Sequence, residues 1–318
     1  MVKLVDVARI AGVSKAAVSY AFSADPVKRS KLSAATLERI LLTAENLKYR
    51  PSMVGRCLSL GRTFSIALLL PEHCARNISP HNLGMFHGVS TVISASDYNL
   101  LVFFGCSKRF LADLAQHRFD GVMMISKLAE AQAIKQIAEC KVPFVLLGRT
   151  FPAEKLIGSA GSNFVAFAEK FLQRNQDLFP KKLRIYCRKS ARLAVDMEVI
   201  EAVQTAARRY GVETAVDELD DFRELPQDTG AAVFRSVTPA VECFLQNSQL
   251  PAAVWTGKRL SERSGMLQCY HDSFNIGIRG SELLLDMISG TRSGENILVG
   301  ERDVHYKRGG SVDYKLDF

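Results

Sequence analysis

The side chains best suited to bind another molecule are the cations and small hydroxyl residues in the first sixty positions. Residues 1–62 hold eleven Lys/Arg against four Asp/Glu, whereas the other 256 residues hold thirty against twenty-nine. Nearly all of the formal net charge of +8 therefore lies in one fifth of the chain. Because a compact basic segment gains affinity by neutralising phosphates and releasing counterions, this distribution predicts a polyanionic partner. On charge alone, a solvated basic face is the alternative.

Two short helices joined by a tight turn are predicted to position these side chains. Residues 5–11 (VDVARIA) have helical apolar spacing, and Gly12 follows where a left-handed turn ends a helix at little cost. Ser14 can cap a second helix from residue 15 to about residue 22, with an apolar face of Val18, Ala21 and Phe22. The side chains turned away from that face are the predicted base and backbone readers, Lys15, Ala16, Ser19 and Tyr20.

A third helix closes the predicted three-helix core. Ser33 is its expected cap, and its apolar residues recur at helical spacing: Leu37, Ile40, Leu41, Ala44 and Leu47. The preceding segment, residues 23–32 (SADPVKRSKL), is interpreted as a polar loop. Its cations Lys28, Arg29 and Lys31 are expected to lie along the backbone of DNA.

Three segments of this region resemble those of a known protein family. The stretches VDVARIAGVSKAAVS, LSAATLERILLTAENLKYRP and RCLSLGRT resemble, in type and spacing, the LacI/GalR repressors. The resemblance implies that residues 52–59 (SMVGRCLS) form a hinge helix that folds on operator DNA. It also implies that Leu58 enters the minor groove, where an apolar wedge unstacks a base step and kinks the duplex. Packing against a partner's hinge helix is the alternative for Leu58.

The predicted DNA-contacting set combines both arguments. Arg56, on the hinge helix, is expected to contact a phosphate or a groove edge. The full set is Lys3, Ser14, Lys15, Ala16, Ser19, Tyr20, Lys28, Arg29, Arg50, Arg56 and Leu58. The chain departs from the family in two places. Tyr20 stands where many relatives have arginine, and the loop before Ser33 is longer, so the bases read and the phosphates contacted are expected to differ.

Other chemistry has little support in the sequence. The seven cysteines lie far apart without a C-x-x-C pair, and the six histidines form no cluster, so no metal or cofactor is predicted. The chain has no G-x-G-x-x-G, P-loop, G-x-S-x-G or H-E-x-x-H motif, so no catalytic residue is predicted and the chain is not expected to be an enzyme. Without an apolar leader or a run near about eighteen apolar residues, no membrane partner is expected and the cytoplasm is the predicted location.

Residues 63–318 are predicted to form an α/β core, because short apolar runs alternate with amphipathic stretches. Strands are expected near 64–70, 99–105, 120–126, 142–147, 183–187, 231–234 and 252–255. Helices are expected near 83–96, 109–117, 129–139, 162–172, 195–210 and 274–289. The resemblance implies two doubly wound lobes, like those of periplasmic sugar-binding proteins. We expect lobe one at 63–150 plus 262–290, and lobe two at 151–260 plus the C-terminal strand. The sequence Gly158 to Gly161 (GSAG) is interpreted as a turn.

The resemblance also bears on a ligand in the cleft between the lobes. Three places where sugar-responsive relatives carry polar contacts hold Val199 (ahead of Gly211), Arg235-Ser236 and Gly257-Lys258-Arg259. If the register is right, Arg235, Lys258 and Arg259 favour an anionic effector, such as a phosphorylated or carboxylate metabolite. The alternatives are a drifted register, and a core that binds no small ligand and only dimerises.

The predicted organisation is a helix-turn-helix headpiece (1–48), a hinge (49–62) and a two-lobed core (63–318). The predicted function is that of a sequence-specific transcriptional regulator, a repressor that binds a palindromic operator as a homodimer. Two other classes compete with it: an enzyme on the same scaffold, and an architectural protein that bends DNA with little sequence choice. About 250 residues of near-neutral core argue against the architectural protein, because coating DNA does not require them.

Overall fold

The structure is a computed structural model. It describes residues 2–23, 25–125, 131–149, 153–174, 182–187, 194–218, 231–234, 252–255, 266–270, 272–299 and 302–304. The chain separates into two compact units, residues 1–63 and residues 64–318.

The first unit is helical. Its helices are α1 (Leu4–Ala11), α2 (Lys15–Ala21), α3 (Pro26–Arg29), α4 (Ala34–Asn46) and α5 (Met53–Leu60). Gly12 ends α1 with a φ of 65°, and Ser14 Oγ accepts a hydrogen bond from the amide of Ala17 at 3.1 Å, which starts α2. Ser33 caps α4 in the same way through the amide of Thr36 at 3.2 Å. The predicted helix, turn and helix, and both predicted caps, are confirmed.

The core of this unit consists of small and branched side chains, which let the helices approach closely. Its buried members are Val7, Ala8, Ala11, Val18, Ala21, Ile40 and Ala44. Phe22 and Tyr49 close one side with an edge-to-face contact, 5.5 Å between ring centroids. Burial raises the pKa of Tyr49, so its hydroxyl remains a neutral group near pH 7.

The interpretation of residues 23–32 as a polar loop is wrong in part, because α3 forms within it. Asp25 Oδ1 accepts a hydrogen bond from the amide of Val27 at 2.9 Å, Pro26 occupies the first turn, and Ser30 Oγ donates to the carbonyl of Val27 at 3.0 Å. A capping aspartate followed by proline is a typical helix start, since proline needs no hydrogen-bond acceptor there. The Asp25-Pro26 pair therefore carried the signal for this turn.

The second unit contains two sheets. The first sheet is parallel and has the order β11-β5-β4-β3-β1-β2. Its strands are β1 (Ser65–Leu70), β2 (Asn99–Phe104), β3 (Gly121–Ile125), β4 (Phe144–Leu147), β5 (Ile157–Ser162) and β11 (Asn296–Val299). The helices that follow its strands or pack on it are α6 (Pro80–Ser94), α7 (Lys108–Ala115), α8 (Ala131–Glu139) and α11 (Ser273–Ser289). A short 3-10 helix, Glu72–Ala75, follows β1.

Both faces of this sheet are covered, as a parallel sheet requires. On β1, Ile66 and Leu68 join one apolar cluster with Leu283 of α11, whereas Leu69 joins a second cluster with Phe110 of α7. Helices α6 and α11 cross at Gly88 and Gly277. A Cβ on Gly88 would lie 2.1 Å from the carbonyl oxygen of Phe274, so the crossing depends on the missing side chain.

The interpretation of Gly158 to Gly161 as a turn is wrong. All six residues of β5 are buried, and β5 pairs with β4 and β11. A Cβ on Gly158 would lie 2.7 Å from Leu283 Cδ2 and 3.0 Å from the carbonyl oxygen of Glu295, so the glycine permits close packing.

The second sheet has the order β12-β10-β9-β8-β6-β7, in which only the β10–β12 pair is antiparallel. Its strands are β6 (Lys182–Cys187), β7 (Glu213–Glu218), β8 (Ala231–Phe234), β9 (Ala252–Trp255), β10 (Met266–Tyr270) and β12 (Arg302–Val304). Helices α9 (Phe164–Arg174) and α10 (Ala194–Arg209) pack with β6 in one apolar core. The expected lobe boundaries need correction, because β5 and β11 belong to the first sheet and β10 to the second.

The expected fold class is confirmed: a small helical headpiece and an α/β core with two mainly parallel sheets.

Candidate DNA-binding surface

The second helix of the helix-turn-helix presents a polar face to solvent. Val18 and Ala21 of α2 are buried, whereas Lys15, Ala16 and Ser19 are exposed on the other face. Three exposed side chains of small or extended shape on one short helix match a helix that lies in the major groove. The structure thus gathers the predicted base readers on one surface.

Ser14 has two hydrogen-bonding roles that are compatible with each other. Its Oγ accepts the Ala17 amide as the helix cap, and its hydroxyl proton can still be donated. Because the first turn of a helix has backbone amides without partners inside the helix, the start of α2 and the Ser14 hydroxyl could both donate to a phosphate.

Tyr20 lies at the edge of the same face and is half-buried. The Lys31 ammonium lies 5.6 Å from the centroid of its ring, within the range of a cation–π interaction. The sequence predicts Lys31 only as one of the loop cations. Its contact with the Tyr20 ring depends on α3, which brings the chain back over the ring. Sequence periodicity gives no signal for such a contact.

The remaining predicted cations are exposed on other elements of the headpiece. Lys28 and Arg29 are exposed on α3, and Arg50 is exposed after α4. Lys3 caps α1 through its backbone, its amide donating to Asp6 Oδ2 at 2.9 Å, and its side chain is exposed.

The hinge segment forms helix α5, as predicted from residues 52–59. Ser52 Oγ accepts from the amide of Gly55 at 3.4 Å, and Gly61 ends the helix with a φ of 61°. No residue of α5 is buried, and Leu58 and Val54, one helical turn apart, are 86% and 77% exposed. Two adjacent apolar side chains in solvent form a ridge suited to contact another molecule.

A cavity of about 550 Å³ brings two predicted contacts from different elements together, Arg29 of α3 and Arg56 of α5. The half-buried Arg56 and the exposed Arg29 both line it.

Arg235, Lys258 and Arg259, the predicted effector contacts, lie outside the described residues. Val199 is fully buried in the apolar core around α9 and α10, so no polar side chain is presented from that position.

A cavity of about 280 Å³ lies where the end of β5 meets α9 and α10. Arg149, after β4, donates to Glu198 Oε1 on α10 from Nε at 3.1 Å and from Nη2 at 2.9 Å. This ion pair links the first sheet to a helix of the second lobe. Since Glu198 already engages Arg149 and Glu201 also lines the cavity, the described part of the core offers no concentration of positive charge there.

Among the described residues, no group of three or more His, Cys, Asp or Glu could hold a metal ion. None of the helices in the described ranges is long and apolar enough to cross a membrane.

Comparison with known proteins agrees with this geometry. Residues 3–52 match the family described as bacterial regulatory proteins, lacI family. The chain is 33% identical over 156 residues to the HTH-type transcriptional regulator PtxS of Pseudomonas plecoglossicida, a match covering 46% of this chain and 43% of that protein. It is 24% identical over 264 residues to catabolite control protein A of Priestia megaterium, covering 80% of this chain and 74% of that protein. The matched part thus spans less than half of the Pseudomonas relative.

Among solved structures, the lac repressor dimer bound to operator and the anti-inducer ONPF superposes with a TM-score of 0.66 at 14% identity, covering 96% of this chain and 98% of that one. At that identity the likeness shows the fold. Headpiece and core together therefore have the fold of the lac repressor. The predicted resemblance to the LacI/GalR family is confirmed, because residues 3–52 match the lacI family and the chain has the lac repressor fold.

Proposed function

We propose that this protein is a sequence-specific transcriptional regulator that binds a near-palindromic operator as a homodimer and acts as a repressor. The observation that carries the proposal is the capped α2, with its polar face exposed, in the same basic unit as a hinge helix whose apolar ridge is exposed. In the proposed complex, α2 lies in the major groove and reads base edges, while Leu58 enters the minor groove.

Dimerisation follows from the size of the headpiece. One such unit buries too little surface for tight specific binding, and twofold symmetry doubles the contacts on a palindromic site. A feature of the second unit supports association. Strand β2 lies at the end of the first sheet, and its Leu101, Val102 and Phe104 are 37–44% exposed. An exposed apolar edge strand is a surface that a second subunit can cover.

Repression is the expected outcome, because a kinked operator occupied by a dimer blocks other proteins from the same DNA. The relatives carry the names of transcriptional regulators, which favours DNA binding over catalysis as the function of this chain.

Control by a small anionic ligand is the finer part of the proposal. It rests on Arg235, Lys258 and Arg259 in the sequence, because guanidinium and ammonium groups bind phosphate and carboxylate groups. The test is to titrate neutral sugars, sugar phosphates and organic acids while following thermal stability and operator release. A neutral sugar that binds in the micromolar range and shifts operator affinity would refute it. No response to any compound would instead favour a core that only dimerises.

The DNA-binding proposal is tested by mapping bound DNA across the genome and footprinting the purified protein on the recovered fragments. We expect protection confined to one short, near-palindromic site on each fragment. Protection that spreads along the DNA without a preferred site would favour the architectural protein.

A further inference from the structure

The side chain of Tyr20 is not fixed by the core of the headpiece. Tyr20 is half-buried on α2 but is not part of the apolar cluster of the headpiece, whereas Phe22 and Tyr49 pack against that cluster and contact each other. A ring outside the core can take up more than one staggered position about the bonds of its side chain. The orientation of the Tyr20 ring therefore depends on a contact outside the core.

That contact comes from Lys31. Its ammonium nitrogen lies over the Tyr20 ring, 5.6 Å from the ring centroid, which is within the range of a cation–π interaction. Among the described residues Lys31 forms no ion pair with a carboxylate, so the ring is the partner of its charge within the headpiece. Since the ammonium occupies one face of the ring, the ring edge and the hydroxyl group remain available, and that hydroxyl can donate or accept a hydrogen bond.

The backbone is fixed on both sides of Lys31. On one side, the Lys31 amide donates to the carbonyl of Lys28 in α3 at 3.3 Å, and α3 itself starts at the cap formed by Asp25. On the other side, Leu32 packs against the core of the headpiece, and its amide donates to the carbonyl of Arg29 at 3.1 Å. A backbone held at both ends limits the positions that the Lys31 ammonium can reach, so its place over Tyr20 is part of the folded headpiece.

The contact joins the two places where the sequence departs from the LacI/GalR family. One is Tyr20, which stands where many relatives have arginine, and the other is the longer loop before Ser33. The longer loop contains both α3 and Lys31, so it returns a positive charge to the position of Tyr20. Tyr20 supplies a hydroxyl group, and Lys31 supplies the charge that a tyrosine lacks.

We propose that Lys31 is a positioning residue for Tyr20 and thereby determines which base α2 prefers at one base pair of each half-site. The inference rests on the proposed function, in which α2 lies in the major groove. The ammonium holds one face of the ring, and the ring edge with its hydroxyl group faces the edge of a base. A cation–π contact at an exposed site changes a preference of this kind by about two- to fivefold. A lysine that bound a phosphate instead would add the same affinity for every sequence.

The first test measures base preference with a set of operators that carry single base-pair changes. Methionine removes the charge but leaves an unbranched side chain, so Lys31→Met should reduce discrimination at one base pair of each half-site by about two- to fivefold. Lys31→Arg should retain the discrimination, because a guanidinium group also forms cation–π contacts. Lys28→Met is the matched control, since it removes an exposed cation from α3 and should weaken binding to all sequences about equally. Equal losses on every sequence for Lys31→Met would show a phosphate contact and overturn the inference.

The second test asks whether Lys31 acts through Tyr20. Tyr20→Leu removes the ring and should lower discrimination at the same base pair, and adding Lys31→Met to that variant should cause no further loss there. Thermal unfolding should be nearly unchanged in both single variants, because neither side chain belongs to the core of the headpiece. Losses that add, or that fall at different base pairs, would overturn the inference and leave the proposed function intact. Failure of the wild type to prefer any DNA sequence would overturn both.

A third measurement observes the contact itself without DNA, by nuclear magnetic resonance of the full-length protein with isotope-labelled lysine. Protons above the face of an aromatic ring are shifted upfield. We therefore expect an upfield signal from the ε-methylene protons of Lys31, which is absent in Lys31→Arg and returns to the ordinary lysine position in Tyr20→Leu. Lysine signals that are the same in the wild type and in Tyr20→Leu would show that the ammonium does not lie over the ring, and would overturn the inference.

Discussion

At the scale of single residues, Leu58 carries the most specific expectation of the proposal. A leucine that is 86% exposed on a helix without a buried residue contributes little to the stability of the isolated chain. We therefore expect this side chain to contribute to the stability of a complex, either in the minor groove or against a partner's hinge helix. The two possibilities differ in what they do to DNA, since only insertion between base pairs kinks the duplex.

We predict that Leu58→Ala lowers operator affinity and reduces DNA bending, while non-specific affinity stays nearly unchanged. Removing a leucine side chain that is buried only in the complex costs about 2 kcal/mol per headpiece, on the order of thirtyfold. Gel mobility of circularly permuted operator fragments measures the bend, and Leu60→Ala on the same helix is the control. An unchanged bend with reduced affinity would support packing between hinge helices instead, and no change in either quantity would exclude both roles.

Lys15 is the exposed cation at the start of α2, where a side chain can reach base edges. Lys15→Ala is predicted to change which bases are preferred, by about 1–3 kcal/mol of discrimination at one base pair of each half-site. Lys28→Ala, which removes an equal charge from α3, should weaken binding to all sequences about equally. Binding to a set of operators with single base-pair changes measures both effects. Equal losses on every sequence for Lys15→Ala would show a phosphate contact.

At the scale of elements, the hinge helix is held weakly by its own contacts. It has eight residues, none of them buried, and a helix of that length is marginal in water. Two glycines, one in the helix and one directly after it, are under different constraints. Gly55 is in the first turn, where a Cβ would meet only Ser52 Cβ at 3.8 Å, whereas Gly61 follows the last residue and ends the helix with a φ of 61°.

The two glycines are predicted to respond oppositely to alanine. Gly55→Ala should favour the helix by about 0.5–1 kcal/mol and tighten operator binding two- to fivefold, if α5 folds on DNA. Gly61→Ala should cost roughly 1–2 kcal/mol of left-handed backbone strain and weaken binding by a similar or larger factor. Operator affinity, with hydrogen exchange of residues 53–60, measures both. Unchanged affinity in both variants would contradict folding of the hinge on the operator.

A comparison of the predicted with the observed helices and strands shows how much of the fold the sequence predicts. The caps at Ser14 and Ser33 and the left-handed Gly12 follow from local chemistry, which a sequence displays directly. Strand β5 was missed because Gly158 is required by Leu283 and Glu295, residues that approach it only through the fold. Helix α3 was not predicted, although the Asp25-Pro26 pair is a typical helix start.

Part of the candidate site could likewise be predicted from the sequence, and part could not. The predicted readers on α2 follow from helical periodicity, and the exposure of Lys15, Ala16 and Ser19 agrees with that pattern. The contact of Lys31 with the Tyr20 ring, and the position of Arg29 and Arg56 around one cavity, depend on how α3 and α5 pack. Spacing along the sequence does not predict which residues of separate elements surround the same cavity.

At the scale of the whole molecule, the distribution of charge predicts how binding responds to salt. With about four to six cations engaged per headpiece, a dimer should show a log–log salt slope on the order of −7 to −11. The near-neutral core contributes little to that slope, because its cations and carboxylates almost balance. Fluorescence anisotropy of labelled operator across a salt series measures it. A slope near −2, or a monomer on the operator, would contradict dimeric binding.

The central claim, that the chain selects a palindromic DNA site, is tested most directly by selection from random duplexes. The purified full-length protein is equilibrated with duplexes of random sequence, and the bound fraction is sequenced after several rounds. We predict one motif with twofold symmetry, in which the base pairs facing α2 lie symmetrically about a central, easily deformed step. Bound DNA that is no different in sequence from the starting pool would contradict the claim.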